Sequence, residues 1–217
     1  MQMIRNSGNR FGKLALIAAL GASLAACGNT PDIASRNLSN GASASIVAVA
    51  QPGPVVRSTA PLPVTVSAIN VSVPRNLTVS EANLYYPIAD IVWRGDMIGD
   101  RHVQVQHIFE TAFRAGTSDL SGPTGVILDA EVVRFHSLSE KARYSVGGVH
   151  NMVFKLTVRR ATTGEQLGPT RLVKADLPAL GGTAAIEADR KGQTQKVRVT
   201  DFLAQAIRKE LARFVSA

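Results

Sequence analysis

Four histidines are the first side chains of this 217-residue chain to consider, because imidazole binds metals and transfers protons near neutral pH. His102 and His107 are five residues apart, whereas two metal ligands on one face of a helix are four apart. His136 and His150 could approach each other across a hairpin, but the chain offers no second cysteine to complete a site. The spacing predicts no metal site and no cofactor.

Carboxylates offer a second possible chemistry, general acid–base catalysis. They are Asp90, Asp96, Asp100 and Glu110, and the residues around them indicate turn and helix-cap roles instead. The sequence contains neither a Gly-x-Ser-x-Gly elbow nor a phosphate-binding Gly-x-x-x-x-Gly-Lys-Ser/Thr loop. We therefore predict that the protein is not an enzyme. A hydrolase is the alternative if two of these carboxylates or histidines converge in one cleft.

The single cysteine, Cys27, has the most specific context. It follows the three parts of an export signal: a basic start, a short apolar run and small residues. The apolar stretch 14–26 is 13 residues long, short of the ~20 that span a bilayer. Leu24-Ala25-Ala26-Cys27 resembles the bacterial lipoprotein box, in which the bond before the cysteine is cut and its sulfur is acylated. We predict a signal peptide over 1–26 and a fatty acid such as palmitate on Cys27.

Acylation at Cys27 would hold the protein in the cell envelope, facing the periplasm. Gly28 favours the outer membrane, because an Asp at that position tends to retain enterobacterial lipoproteins at the inner membrane. With one cysteine the chain forms no internal disulfide, so the fold depends on core packing. The first expected partner is therefore the membrane, reached through the lipid anchor.

The charge of the chain is basic, with a formal net charge of +8. Removing residues 1–26 subtracts the charges of Arg5, Arg10 and Lys13 and leaves +5. The remaining basic residues are scattered, without the interleaved aromatic residues of a nucleic-acid groove. We expect no nucleic-acid partner, and a basic surface that is solvated or faces anionic lipid headgroups.

Residues 27–62 are predicted to be a flexible tether that ends in the acylated cysteine. After Cys27 they are dominated by Gly, Ala, Ser, Asn and Pro and contain no aromatic residue. Such a stretch cannot bury enough apolar surface to offset its ordering entropy. Its one apolar segment, 46–50, could add a short edge strand. Residues 63–217 then form a single folded domain.

Alternation of apolar and polar residues predicts the strands of that domain. The first is Val64–Val73, where a phase slip at Ala68-Ile69 predicts a bulge. Residues 88–93 are predicted to be a second short strand or an extended segment against the core. Further strands are predicted over 126–135, 144–159 and 166–176. Gly168-Pro169 interrupts the last one, which is therefore expected to be bulged or to lie at an edge of the sheet.

Apolar residues at steps of three and four predict two amphipathic helices. One is capped by Asp100 and has an apolar face from Val105 to Gly116, and the other has an apolar stripe from Val199 to Phe214. One sheet covered by two helices is a two-layer α+β sandwich. The sheet is expected to be mainly antiparallel, because the short turn at 162–165 cannot hold a crossover.

Four residues form a possible partner-binding group: Tyr85, Tyr86, Trp93 and Arg94. Trp93 is the only tryptophan, and two interpretations stay open for it. It is either an anchor of the core or an aromatic recognition residue in a groove beside the two tyrosines.

The stretch from Tyr85 through Gly99-Asp100-Arg101 to Gln106 resembles an uncharacterised lipoprotein family of alphaproteobacteria. The resemblance extends over most of residues 62–215 and implies no activity. The order of lipid box, tether, strands and helices is more distantly similar to auxiliary lipoproteins of ABC-type lipid-transport systems. In those, a small α+β domain binds a partner such as a substrate-binding ring protein, and no functional residue can be carried over.

The sequence thus predicts a non-enzymatic, membrane-anchored envelope lipoprotein that binds a protein partner of a transport or assembly system. The alternative is a module that binds an amphiphile or a cell-wall glycan between helix and sheet. That alternative requires an apolar pocket of about 300 Å³ or more.

Overall fold

The computed structural model describes residues 63–215, without the side chains of its last two residues. The predicted signal peptide, the acylation site Cys27, the tether over 27–62 and the apolar segment 46–50 all lie outside the described residues. So does the side chain of Phe214.

Five strands and four helices make up the described part of the chain. The strands are β1 (Val64–Ser72), β2 (Ile91–Val92), β3 (Thr124–His136), β4 (Gly148–Arg160) and β5 (Arg171–Ala179). The helices are α1 (Arg101–Thr117), α2 (Glu140–Arg143), α3 (Gly182–Arg190) and α4 (Gln195–Val215). None of these helices is both long and apolar enough to cross a membrane.

One open sheet runs in the order β1-β3-β4-β5. Strands β1 and β2 both pair parallel to β3, β1 along its first part and β2 at its end, whereas β4 and β5 are antiparallel neighbours. The predicted two-layer α+β sandwich is confirmed, with a sheet that mixes the two kinds of pairing. The parallel β1–β3 pair is possible because the connection between them contains α1, which is long enough for a crossover.

The two ends of the sheet carry different parts of the chain. Val64 pairs with Thr124 at the start of β3, so the chain enters the domain at that end. His136 ends β3 roughly 40 Å away, at about 3.3 Å per residue. We call the His136 end the distal end. Strand β2 lies at this end, because it pairs with the last residues of β3. Helix α2 and the starts of α1 and α4 lie there too, and β4 begins and β5 ends at this end.

Two bulges adjust the pairing. In β1 an extra residue, Ser67, sits between Val66 and Ala68, which confirms the bulge predicted from the phase slip beside it. In β3 Val133 is extra, and beyond it Phe135 returns to the buried face of the sheet. Because side chains alternate between faces, each extra residue restores the apolar face after the pattern slips.

Helices α1 and α4 cover one face of the sheet and pack against each other. Asp100 caps α1 as predicted, since its side chain accepts hydrogen bonds from the amides of His102 and Val103. In α4 the buried apolar residues recur every four positions: Val199, Leu203, Ile207 and Leu211. The predicted faces of both helices are therefore the ones that pack.

Two further helices were not predicted. The sequence predicted a strand from residue 144, but β4 begins at Gly148 after the short helix α2. Ser139 caps α2, and Gly147 follows it with a φ of 75°, a backbone conformation that favours glycine. Helix α3 occupies the polar segment before α4 and has Ala185 as its buried residue. Neither helix has an apolar stripe from which it could be recognised.

Aromatic rings fill the space between α1 and the sheet. Phe109 contacts Phe113, Phe135 and Phe154 edge-on, with ring centroids 5.3 to 6.0 Å apart. Edge-on contacts of this kind add to the stabilisation from buried area. The space between this part of α1 and the sheet is therefore filled by side chains.

Candidate functional site

The structure separates the four residues predicted to bind a partner into two pairs. Tyr85 and Tyr86 are exposed, at 55% and 67%. Trp93 is fully buried, and the side chain of Arg94 is mostly buried in an ion pair with Glu81. The prediction of Trp93 as an exposed recognition residue is wrong, and its alternative role as a core anchor is confirmed.

Trp93 is buried because it follows β2 directly and turns into the core beside Phe135, whose ring lies 5.4 Å away edge-on. Its indole nitrogen donates to Asp96 at 2.8 Å, so burial leaves no unpaired donor. Gly95 covers the ring so closely that a Cβ there would lie 2.2 Å from the indole. The Trp-Arg-Gly-Asp sequence thus builds a local cover over the core.

Residues 84–88, which we call the distal loop, present four exposed apolar side chains. They belong to Leu84, Tyr85, Tyr86 and Ile88, and Ile88 is 97% exposed. Pro87 between them is buried. Large apolar side chains grouped in this way on a surface commonly mark an interaction site.

The backbone of the distal loop is fixed by hydrogen bonds to the parts of the chain beneath it. Ser139 donates to the carbonyl of Leu84 at 2.5 Å, and His136 Nε2 donates to the carbonyl of Pro87 at 2.8 Å. Next to the loop, the side chain of Asn83 accepts from the amide of Lys141 at 2.7 Å. The apolar side chains therefore project from an ordered support.

Asp90 closes the segment that carries the distal loop. Its carboxylate accepts from the amide and hydroxyl of Thr78 at 2.9 and 2.7 Å, and these bonds hold the pKa of Asp90 below its usual value. Asp90 thus has the structural role in a turn that was predicted for it.

Cations and a neutral imidazole surround the two tyrosines. The ammonium of Lys141 lies 4.6 Å from the ring centre of Tyr85, and Arg134 donates to the hydroxyl of Tyr86 at 3.1 Å. The Tyr86 ring stacks on His136 at 4.6 Å, and burial lowers the pKa of His136. The surface therefore combines apolar groups with positive charge.

Three more exposed apolar residues at the distal end escaped sequence analysis: Tyr144, Val146 and Val149. They were assigned to a strand, where half of the side chains are expected to be buried. Met97 and Ile98, 89% and 87% exposed, precede α1 at the same end. An apolar pair inside a polar turn was the one available signal for them.

The carboxylates considered for catalysis each take part in contacts that support the local structure. Asp100 caps α1 and pairs with Arg75, whose hydrogen bond is the main cause of a lowered pKa of Asp100. Asp96 accepts from Trp93 and Lys196. Glu110 lies further along α1, on the surface of the helix, where it is within 4 Å of His107 and Arg114. Two of the residues, Asp96 and His107, line one open groove of about 320 Å³ together with Lys196, so the hydrolase alternative stays a prediction.

One serine and one histidine do contact each other. Ser137 Oγ lies 2.7 Å from His150 Nδ1, and both residues are buried. Burial, together with the nearby Arg198 and Arg143, lowers the pKa of His150 to about 3. An imidazole of that pKa is a poor base at neutral pH, so this pair is not an activated nucleophile.

Grooves on the described surface are open. One of about 450 Å³ lies on the uncovered face of the sheet, lined by polar residues that include Asp129, Glu131 and Lys155. Another, of about 610 Å³, lies between β1 and the end of α1 beside Arg114. Within residues 63–215 there is no group of three or more His, Cys, Asp or Glu side chains that could hold a metal ion.

Three solved structures show a likeness to the chain. A presumed lipoprotein of Caulobacter crescentus is 12% identical, with 52% of this chain and 83% of that chain covered and a TM-score of 0.34. A Xanthomonas campestris protein of the DUF330 family is also 12% identical, with 73% and 86% covered and a TM-score of 0.40. An uncharacterised protein is 14% identical, with 72% and 95% covered and a TM-score of 0.33.

No curated protein matches the chain. A family description does match, and it covers residues 64–217, which is the folded domain from β1 onward. The chain belongs to DUF6778, a family of unknown function.

Proposed function

We propose that the protein is a non-enzymatic lipoprotein of the bacterial envelope whose domain binds a protein partner through the distal loop. Acylated Cys27 would hold it in the membrane, facing the periplasm. The partner would be a component of an envelope transport or assembly system. The outer membrane is the proposed location, because Gly28 follows the cysteine.

The exposed distal loop is the observation that carries this proposal. Leu84, Tyr85, Tyr86 and Ile88 expose apolar surface on a backbone fixed by hydrogen bonds. A fixed loop loses little conformational entropy on binding, which favours its use in an interface. Tyrosine is also among the residues enriched at the centres of interfaces.

The position of the loop suits a tethered protein. The chain enters β1 at Val64, at the opposite end of the sheet from His136 and the distal loop. The chain that would carry the lipid anchor is therefore joined to the domain at the end opposite the loop. Lys141 and Arg134 beside the loop favour a partner with acidic groups around an apolar centre.

Binding is tested with the full, acylated chain carrying a photocrosslinking residue in place of Ile88. Ile88 is almost fully exposed, so its replacement leaves the fold intact. A matched control carries the same residue in place of Leu172, which is 57% exposed on edge strand β5. We expect one protein to crosslink from position 88 and not from position 172. Equal crosslinking from both positions, or none from position 88, refutes the proposed site.

A direct measurement follows once the crosslinked protein is identified and purified. We expect Ile88→Asp to weaken its binding at least tenfold, because a buried carboxylate would replace an apolar contact. Leu172→Asp should bind as the wild type does. Unchanged affinity of Ile88→Asp would show that the distal loop is not the interface.

The anchor is tested separately with Cys27→Ser in cells labelled with palmitate. We expect the wild type to incorporate label and lose residues 1–26, and the variant to remain an unlabelled precursor, because serine lacks the acylated sulfur. Normal processing and membrane attachment of the variant would refute acylation at Cys27.

A further inference from the structure

Three buried polar atoms without a hydrogen-bond partner lie near the start of α4. They are Nε2 of His150, Nε2 of Gln195 and Nη1 of Arg198. His150 is fully buried and Gln195 is 2% exposed. A buried polar group left unpaired is strongly unfavourable, so three of them in one region indicate an absent partner.

Several contacts bring these side chains to the same place. Arg143 of α2 donates to Oε1 of Gln195 at 3.2 Å. Arg198 donates through Nη2 to the carbonyl of Pro178 at 3.1 Å, next to the β5 residue that pairs with His150. The positive charges of Arg198 and Arg143 also contribute to the lowered pKa of His150.

Each of the three free atoms is a hydrogen-bond donor. The amide oxygen of Gln195 already accepts from Arg143, so its free end is N–H. The guanidinium of Arg198 has only donors. We assign the Ser137 hydroxyl as the donor to Nδ1 of His150, which leaves the single ring hydrogen of the neutral imidazole on Nε2.

The local charge is positive. Arg143 is neutralised by Asp189, whose carboxylate it contacts at 2.6 Å. Across residues 63–215, by contrast, Arg198 has no ion pair, and its hydrogen bond goes to a neutral carbonyl. A water molecule would need acceptors for its own hydrogens, whereas an anion accepts from several donors and offsets the charge of Arg198.

We propose that His150, Gln195 and Arg198 form a binding site for a small anion at the start of α4. The ligand is a halide or the oxygen of a phosphate or carboxylate, held by three N–H groups. The adjacent helix N-terminus contributes further positive potential. This site is separate from the distal loop and does not depend on the protein-binding function.

The test measures thermal unfolding of the full, acylated chain in detergent. Sodium bromide, phosphate and acetate are compared with the larger organic anion isethionate at equal ionic strength. We expect at least one small anion to raise Tm by about 5 °C, the size of shift produced by a ligand near one hundred times its Kd. The salt that raises Tm shows whether the ligand is a halide, a phosphate or a carboxylate.

Two variants make the result specific. Arg198→Gln removes a donor and the charge, and should abolish the increase in Tm. The matched control Arg190→Gln removes an exposed charge from α3 and should keep the increase. Gln195→Glu places a carboxylate oxygen at the site and should make Tm independent of the anion without loss of folding. An anion effect that survives in Arg198→Gln or Gln195→Glu, or is absent from the wild type, overturns the proposal.

Crystals grown in bromide give an independent result. An anomalous peak within about 3.5 Å of Gln195 Nε2 and Arg198 Nη1 would support the site. A water molecule there, or side chains paired with one another and no bromide, would overturn it.

Discussion

Gly116→Ala tests the closest approach between the two helices that cover the sheet. In an ordinary helix this substitution stabilises by about 1 kcal/mol, because alanine has the higher helix propensity. At position 116 the added Cβ would lie 2.3 Å from the carbonyl oxygen of Ala204 and 2.8 Å from Cγ2 of Ile207. The first of these atoms is backbone and cannot rotate away, so α1 and α4 must move apart.

Overpacking of this kind costs up to about 3 kcal/mol. Subtracting the propensity gain of about 1 kcal/mol leaves an expected net loss of about 2 kcal/mol in the free energy of unfolding. Urea denaturation of Gly116→Ala measures it. The exposed neighbour Ala115 supplies the control, since Ala115→Gly should cost only the propensity difference of about 1 kcal/mol. A Gly116→Ala protein as stable as the wild type, or more so, would refute the close contact.

Three further predictions concern the core and its ionisable groups. Phe109→Ala should lower the free energy of unfolding by about 3–5 kcal/mol. Phe202→Ala should lower it by clearly less, because that ring is only partly buried. Equal losses in the two variants would contradict the burial of Phe109 and the partial exposure of Phe202. The fluorescence of Trp93, the only tryptophan, should have its maximum at short wavelength and resist quenching by iodide. Gly95→Ala should shift this emission to the red, because the added Cβ displaces the ring. Iodide quenching of the wild-type protein would show that Trp93 is exposed. Because the pKa of His150 falls from about 6.5 in the unfolded chain to about 3 in the folded protein, the unfolded chain takes up the extra proton below pH 6.5. Stability should therefore fall as pH drops from 6.5 towards 3, with up to about 1.4 kcal/mol per pH unit from this group, and His150→Gln should remove that contribution; an unchanged slope would contradict it.

The elements that the sequence predicts well are those whose apolar residues repeat with a clear period. Helices α1 and α4 bury the predicted faces, and the bulge in β1 lies beside the predicted phase slip. Strand β5 is at an edge, as its Gly-Pro interruption indicated, although it begins at Arg171 after an isolated bridge at Gln166. The repeat of apolar residues and the Gly-Pro break are local properties of the sequence, so they can be recognised without the structure.

Elements that depend on tertiary contacts could not be predicted in this way. Helix α3 buries mainly Ala185, which gives no stripe to detect. The parallel pairing of β1 with β3 joins segments about sixty residues apart, and no local pattern specifies it. The membership of an uncharacterised family agrees with the predicted resemblance, whereas the lipid anchor stays a prediction.

The candidate site shows the same division. Tyr85 and Tyr86 were identified from their residue type and are exposed. Trp93 was predicted to belong to the same group as these tyrosines, but it is buried. It follows β2 directly, and Gly95 packs against its ring in the core. The donors at the start of α4 come from β4 and α4, which are far apart in sequence, so their proximity is visible only in the folded chain.

The parallel alignment of β1 and β3 has a mechanical consequence. Eight residue pairs join the two strands, beginning at Val64, where the chain enters the domain. A pull applied between that entry point and the distal end acts along both strands, so it loads the hydrogen bonds in shear. They must then break together instead of opening one at a time like a zipper. A domain stretched between a bilayer and a bound protein would resist unfolding in the direction in which it is pulled.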